Sequence, residues 1–267
     1  MKEFKDKNQW VLILGGSSGL GLATAKKLAK HGLNICIVHR NSRMQEDTIN
    51  AAFDSIKNED ISFKSFNIDA FKPEKRTVLI EELKREFGTD QKIKTLVHSV
   101  AKGNLKPMVS EEKEEEPVLK HDDFALTINA MGISLYDWTM AIFEANLFSK
   151  DARIISFTSE GNTKAWKNYA AVSAAKVTLE AITRNIALEF APHGIKANCI
   201  QAGVTDTQSL RMIPGSEKII KHSLIRNPNK RLTLPEDVAN AVYLLCKDEA
   251  SWITGTIIPV DGGEHLS

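Results

Sequence analysis

The sequence lacks most of what would mark a secreted, membrane-spanning or metal-binding protein. Its three cysteines, Cys36, Cys199 and Cys246, are odd in number, far apart and in no metal-ligand spacing. They read as buried thiols in a reducing compartment rather than as a disulfide framework or a metal site. No apolar run approaches the roughly 20 residues needed to span a bilayer, and the N-terminal MKEFKDKNQW is too polar for a secretory signal. No sign of charge dominates either: 35 lysines and arginines face 34 aspartates and glutamates, for a net charge of +1. That balance argues against bulk nucleic-acid binding. What these absences leave is a cytoplasmic globular chain. Its 267 residues, 42% of them hydrophobic, have room for one large core, and no internal repeat or linker divides them.

What is present is a rhythm of short apolar runs and longer amphipathic segments. Strand-like runs cover 10–14, 34–38, 61–67, 93–98, 153–157, 195–200 and 256–260. Helical patterns fall at 19–30, 73–87, 122–145, 168–190 and 235–245. Runs such as VLIL, ICIV and RIIS do not alternate apolar with polar, as expected of strands covered on both faces. Strands separated by helices imply parallel crossovers: an α/β, Rossmann-type doubly wound sheet of about seven strands with helices on both faces. Two segments stand apart from this pattern. The run EEKEEE at 111–116 reads as a solvated acidic loop. The stretch 211–231 holds Arg211, Lys218, Lys221, Arg226, Lys230 and Arg231 against one acid, Glu217.

The sequence Leu14-Gly15-Gly16-Ser17-Ser18-Gly19-Leu20-Gly21 follows the first strand and opens a helix. Gly15, Gly19 and Gly21 permit a tight turn and close backbone approach, and the helix N-terminus offers free N–H groups to a pyrophosphate. The end of the second strand carries no acid to accept from an NAD ribose, and Arg40 sits one step beyond the usual position of one. A guanidinium there suits a 2′-phosphate, which favours NADPH over NADH. Asp69, after the third strand, stands where it would meet the adenine amino group or else cap the loop before Pro73. In Tyr169-Ala-Ala-Val-Ser-Ala-Ala-Lys176, the tyrosine and lysine lie seven residues apart, two helical turns on nearly one face, so both can line one cleft.

With these motifs in hand, the chain resembles the short-chain dehydrogenase/reductase family over almost its whole length. Thr127-Ile128-Asn129-Ala130 looks like the family's asparagine motif, and Ser156-Phe157-Thr158-Ser159 ends the fifth strand where the catalytic serine belongs. Val260-Asp261-Gly262-Gly263 matches its C-terminal signature. Most members carry tyrosine four residues before the lysine, a slot held here by Val172. The wider spacing is similar to the enoyl-acyl-carrier-protein reductases, as are Val97-His98-Ser99-Val100-Ala101 and Ala202-Gly203, and closest to their NADPH-using bacterial type III. The chain departs from many of them in offering Ser159 and Glu160 where a second tyrosine stands, and in a longer, more acidic connection at 103–122.

The resemblance implies NADPH-dependent reduction of an enoyl thioester, carried on acyl carrier protein or coenzyme A, in fatty-acid, related lipid or polyketide synthesis. It implies Tyr169, Lys176, Ser159 and Asn129 as catalytic residues. Gly15, Ser17, Ser18, Gly19, Leu20, Gly21, Arg40, Ile68, Asp69, Ser99, Val100 and Lys176 would hold the cofactor, with Val204 and Thr207 at its carboxamide end. The segment of about 204–231 would close over substrate, and its basic excess suits an acidic carrier or the phosphates of coenzyme A. Family members pair the helices at 122–145 and 168–190 across a two-fold axis, which implies a homotetramer.

The spacing suits the chemistry. In enoyl-thioester reduction hydride lands on the β-carbon while charge collects on the thioester oxygen, two carbons away, so the stabilising hydroxyl must stand further from the nicotinamide. Three positions along a helix displace a side chain's origin by about 4.5 Å, and by more if Tyr169 lies just before the helix. Two alternatives share these residues. One is reduction of another carbonyl or conjugated alkene, such as a 3-oxoacyl or dienoyl thioester; the other is an NADPH-binding regulator that has lost catalysis.

Overall fold

The computed structural model describes residues 2–110 and 117–267, so the acidic run at 111–116 lies outside the described residues. Seven strands form one parallel sheet in the order β3-β2-β1-β4-β5-β6-β7. They are β1 (Gln9–Leu14), β2 (Asn34–His39), β3 (Phe63–Asn67), β4 (Lys92–His98), β5 (Phe148–Ser159), β6 (Ile195–Ala202) and β7 (Ile257–Val260). The helices are α1 (Gly19–Lys30), α2 (Glu46–Lys57), α3 (Pro73–Phe87), α4 (His121–Ile128), α5 (Ser134–Glu144), α6 (Ala170–Glu189), α7 (Gln208–Arg211), α8 (Ser216–Arg226) and α9 (Pro235–Cys246).

The continuous apolar runs are divided between two cores by the alternation of side chains along a strand. In β1, Trp10, Leu12 and Leu14 enter a core with α3, α5 and α6, through residues such as Leu83, Trp138 and Leu179. Val11 and Ile13 enter the opposite core with α1, α2 and α9, through Leu28, Phe53 and Val242. The strand order reverses between β1 and β4, and the crevice at their carboxyl ends is where such sheets bind ligands.

Three features differ from the sequence reading. Helix α2 was not expected, although Ile49, Phe53 and Ile56 repeat at helical spacing and supply its buried face. The single helix expected over 122–145 is α4 and α5 joined by a π-helical turn, Asn129–Ile133. Helix α6 begins at Ala170, so Tyr169 is the residue before it and the 4.5 Å helical displacement does not apply. Among the described residues, no helix is long and apolar enough to cross a membrane.

The amino-terminal end of the sheet, opposite the crevice, is held by charge. Arg153, on β5, is 1% exposed, and its Nε and Nη2 donate to the carbonyls of Leu245 and Lys247 at 2.9 and 3.2 Å. Those carbonyls end α9, where a cation is favoured. Asp151 accepts from Arg153 Nη1 at 2.5 Å, Lys196 Nζ at 2.7 Å and the buried Lys94 Nζ at 2.8 Å. Partial burial alone would raise the Asp151 carboxyl. The hydrogen bonds from Arg153, Lys196 and Lys94 outweigh it and hold the group well below the usual carboxylate range.

A depressed carboxyl contributes stability above its ordinary value of 3.8 and loses it as pH falls towards the folded value. Asp151→Asn leaves the buried Arg153 without its carboxylate and the buried Lys94 with only the exposed Asp248 at 3.5 Å. With the partial exposure of Asp151 allowed for, it should cost about 2–3 kcal/mol in urea unfolding at pH 7. The difference from wild type should shrink as pH is lowered below 4. An equal difference at pH 7 and pH 3 would show that charge is not the cause.

Candidate active site

The glycine loop is shaped by contacts that no side chain would allow. Gly15 has φ +82°, and a Cβ on it would fall 2.2 Å from the Ser99 carbonyl oxygen, so β1 and β4 meet here backbone to backbone. Ser17 lies in the loop, and Ser18 precedes α1 without capping it. The first turn, including Leu20 and Gly21, contains no acid. These free N–H groups at a helix N-terminus fit a pyrophosphate. Opposite them stands Thr207; its Cγ2 would lie 3.5 Å from a Cβ on Gly19, and its hydroxyl accepts from Leu210 N.

At the adenosine end, Ile68 N donates to the His39 carbonyl at 2.9 Å, tying β3 to β2 beside Arg40. Arg40 Nη1 bonds Asp69 Oδ2 at 2.8 Å, and Asp69 Oδ1 accepts from Phe71 N. Asp69 therefore caps its loop and holds the arginine at the mouth of the site. Val100 borders the core around Tyr169. Val204, expected at the carboxamide end, has both backbone groups engaged: its N–H on Glu264 Oε2 at 3.3 Å and its carbonyl with Thr233 N at 3.1 Å. The loop, the helix end and the cation fit a pyridine nucleotide.

Tyr169 and Lys176 come to one place by different routes. Asn168, at φ +64°, turns the chain into α6, and Tyr169 lays its ring on the 160–162 turn. A Cβ on Gly161 would fall 2.4 Å from Tyr169 Cε1, so glycine is what lets the ring approach. The tyrosine hydroxyl stands 3.3 Å from Ser159 Oγ. Burial raises the Tyr169 phenol above its ordinary 10.0, with the Ser159 bond opposing, so it keeps its proton at neutral pH. Lys176 is buried, and its Nζ donates to the Phe157 carbonyl at 2.6 Å. Burial pulls the ammonium down to about 8, while Cys199 and Glu180 act the other way.

Glu180, one turn beyond the lysine, went unremarked in the sequence. This buried carboxylate accepts from Thr158 Oγ1 at 2.5 Å and from Asn162 Nδ2, fastening the serine-bearing strand end to α6. Its only sequence signal was an acid on the inner face of an otherwise apolar helix. Val172, in the slot that holds tyrosine in most of the family, is buried against Tyr169 and cannot donate a proton.

Asn129 opens the π-helical turn and is exposed, without a hydrogen bond to Tyr169, Ser159 or Lys176. The turn itself is pinned. Ser134 Oγ donates to the Ala130 carbonyl at 2.8 Å and receives His98 Nε2 at 2.7 Å. Because the serine proton is used on Ala130, the imidazole donates through Nε2. Burial pulls His98 down to about 3, so it is neutral. Around Tyr169, Met131 and Val172 are buried, and Leu105, Trp166 and Ile213 border them. The arrangement sets one hydroxyl pair and one buried cation beside an apolar wall.

A profile of the enoyl-(acyl carrier protein) reductase family matches residues 15–265. The chain is 28% identical over 267 residues to the enoyl-acyl-carrier-protein reductase (NADH) of Enterococcus faecalis, covering 98% of this chain and 99% of that protein. It is also 28% identical over 252 residues to a tropinone reductase homologue of Arabidopsis thaliana, covering 94% of this chain and 90% of that protein. The crystal structure of the Bacillus cereus enoyl-acyl carrier protein reductase with NADP+ and an indole naphthyridinone has the same fold. It superposes with a TM-score of 0.86 at 24% identity, covering 100% of this chain and 99% of that one. With a glycine loop at the β1–β4 switch point, a Tyr–Ser–Lys group beside it and a profile match spanning almost the whole chain, the protein belongs to the enoyl-(acyl carrier protein) reductase family, oxidoreductases of the short-chain dehydrogenase/reductase fold that bind a pyridine nucleotide.

Proposed function

We propose that the chain reduces the carbon–carbon double bond of an enoyl thioester with NADPH, in fatty-acid or related lipid synthesis. The observation that carries this reading is the hydroxyl of Tyr169 against Ser159 Oγ, with valine in the slot four residues before Lys176. When bound, the nicotinamide supplies hydride to the β-carbon. Tyr169, protonated, donates to the thioester oxygen as enolate charge collects there, an oxyanion-hole role. Ser159 orients that hydroxyl. Lys176 holds the nicotinamide ribose, and its charge lowers the energy of the enolate. Asn129, at the break between α4 and α5, belongs to the proton path by resemblance. The apolar wall of Met131, Val172, Trp166 and Ile213 suits an acyl chain.

Tyr169→Phe keeps the ring and deletes the oxygen. Turnover of crotonyl thioesters should fall about 10²–10³-fold with NADPH affinity nearly unchanged. Lys176→Ala should damage both, and Val172→Ala should change activity only a few-fold. Wild-type activity should decline as pH rises through about 8, where Lys176 loses its proton. Running the assay on crotonyl and acetoacetyl groups, each on coenzyme A and on acyl carrier protein, also reads the substrate and the carrier. Full activity of Tyr169→Phe on the best enoyl thioester would overturn the mechanism.

Cofactor choice rests on Arg40, an exposed cation one step beyond the position where an NAD site has an acid, with no acid in that position. Titration of the purified protein should show tighter binding of NADPH than NADH, and Arg40→Asp should reverse the order. Equal affinities in the wild type would remove the case for NADPH.

The assembly we propose is a homotetramer built on the outer faces of α4, α5 and α6, where Leu126, Tyr136, Val177 and Leu188 are exposed. Sedimentation at micromolar concentration should give four times the chain mass of 29.6 kDa, and a stable monomer would contradict it.

A further inference from the structure

Glu160 follows Ser159 directly and opens the short turn on which the Tyr169 ring rests. Its carboxylate takes a bidentate bond from Arg226, with Nη1 to Oε2 at 2.9 Å and Nη2 to Oε1 at 2.8 Å, and a further bond from Lys164 Nζ. The two side chains are 13% and 12% exposed, so solvent screens them little. Burial alone would raise the Glu160 carboxyl; the bonds from Arg226 and Lys164 hold it below its ordinary value, ionised at neutral pH.

Arg226 is the last residue of α8. The same guanidinium donates through Nε to the Ser267 carbonyl at 3.0 Å and through Nη2 to the Glu264 carbonyl at 2.8 Å. One side chain thus joins the catalytic turn, the helix over the substrate side and the C-terminal turn.

Helix α8 has little else to hold it. Of its eleven residues, Ser223 alone is buried, so packing contributes little and polar tethers decide where it sits. Just past the helix, Asn227 Nδ2 bonds the Asp261 carbonyl at 2.8 Å. At the other end Gly215, with φ +78°, has nothing within 4 Å of where a Cβ would stand. The helix is therefore anchored at Arg226 and open at Gly215.

Between α8 and residues 164–168 lies a cavity of about 690 Å³. Trp166, Ile213, Ile219 and His222 line it, and Arg226 and Ser267 also border it. With its guanidinium already paired, Arg226 closes the cavity without offering a free charge to an anion.

We propose that the Glu160–Arg226 pair is a strut that sets α8 against the catalytic turn, so that these residues govern affinity for the acyl substrate while touching neither the cofactor nor the reacting bond. They are positioning residues, and the acyl part of the proposal rests on the enoyl-thioester reading above.

The test uses Glu160→Gln, Arg226→Lys and the charge exchange E160R/R226E. Hydrogen exchange in the substrate-free protein should quicken about tenfold across residues 216–226 in Glu160→Gln, the scale of one lost charge-assisted hydrogen bond. Exchange in α6 should stay unchanged. The KM for an enoyl thioester should rise by a similar factor, with kcat and the NADPH dissociation constant held within about twofold. Arg226→Lys should lie between wild type and Glu160→Gln, and the charge exchange should recover part of both effects. Unchanged exchange in α8, or faster exchange with an unchanged KM, would overturn the strut. Exchange quickened throughout the protein would reduce the pair to general stability and overturn it as well. If no enoyl thioester is turned over, that failure falls on the functional reading, while exchange confined to 216–226 still separates a strut from its absence.

Discussion

Burial of parallel strands on both faces is the constraint from which the rest of the structure follows. Strand β1 sends Trp10, Leu12 and Leu14 to one core and Val11 and Ile13 to the other, so neither face can be left to water. Helices must then cover both sides, and each crossover returns the chain to start a strand at the same edge. All seven carboxyl ends emerge together, and the order reverses between β1 and β4. At that reversal backbone lies against backbone, with Gly15 on the Ser99 carbonyl, leaving a crevice that the N-terminus of α1 faces.

The two ends of strand β5 set buried cations in contrasting surroundings. At its lower end the buried Arg153 meets a full carboxylate on Asp151 and the terminal carbonyls of α9, so its charge is satisfied. At its upper end the buried Lys176 donates to the Phe157 carbonyl and, among the described residues, bonds no carboxylate, and its pKa falls to about 8. A buried ammonium without a bonded carboxylate retains most of its field for whatever charge develops nearby. Glu180, fastened to Thr158 and Asn162, lends Lys176 a carboxylate's field from the same helix without bonding it.

Much of this could be read in advance, and the exceptions have identifiable causes. The strands were legible because two-sided burial demands unbroken apolar runs, and the glycine loop because only glycine allows its contacts. Helix α2 was legible in principle through Ile49, Phe53 and Ile56, but its short, polar-flanked pattern resembles a loop. The π-helical turn at Asn129 was not legible. It is held by Ser134 and His98, a contact between α5 and β4 that local sequence does not encode. The partners of Arg40 and Arg226 were equally hidden, since Asp69 and Glu160 lie 29 and 66 residues away.

The sequence by itself determined the fold class, the glycine loop and the seven-residue spacing of Tyr169 and Lys176, because periodicity, glycine and residue spacing are local properties. Tertiary structure decided where the Tyr169 hydroxyl points, which groups neutralise each buried cation, and which distant residues the end of α8 bonds. Those depend on contacts between distant segments, Gly161 beneath a ring or Glu160 against Arg226, whose geometry exists only once the sheet has brought its carboxyl ends together.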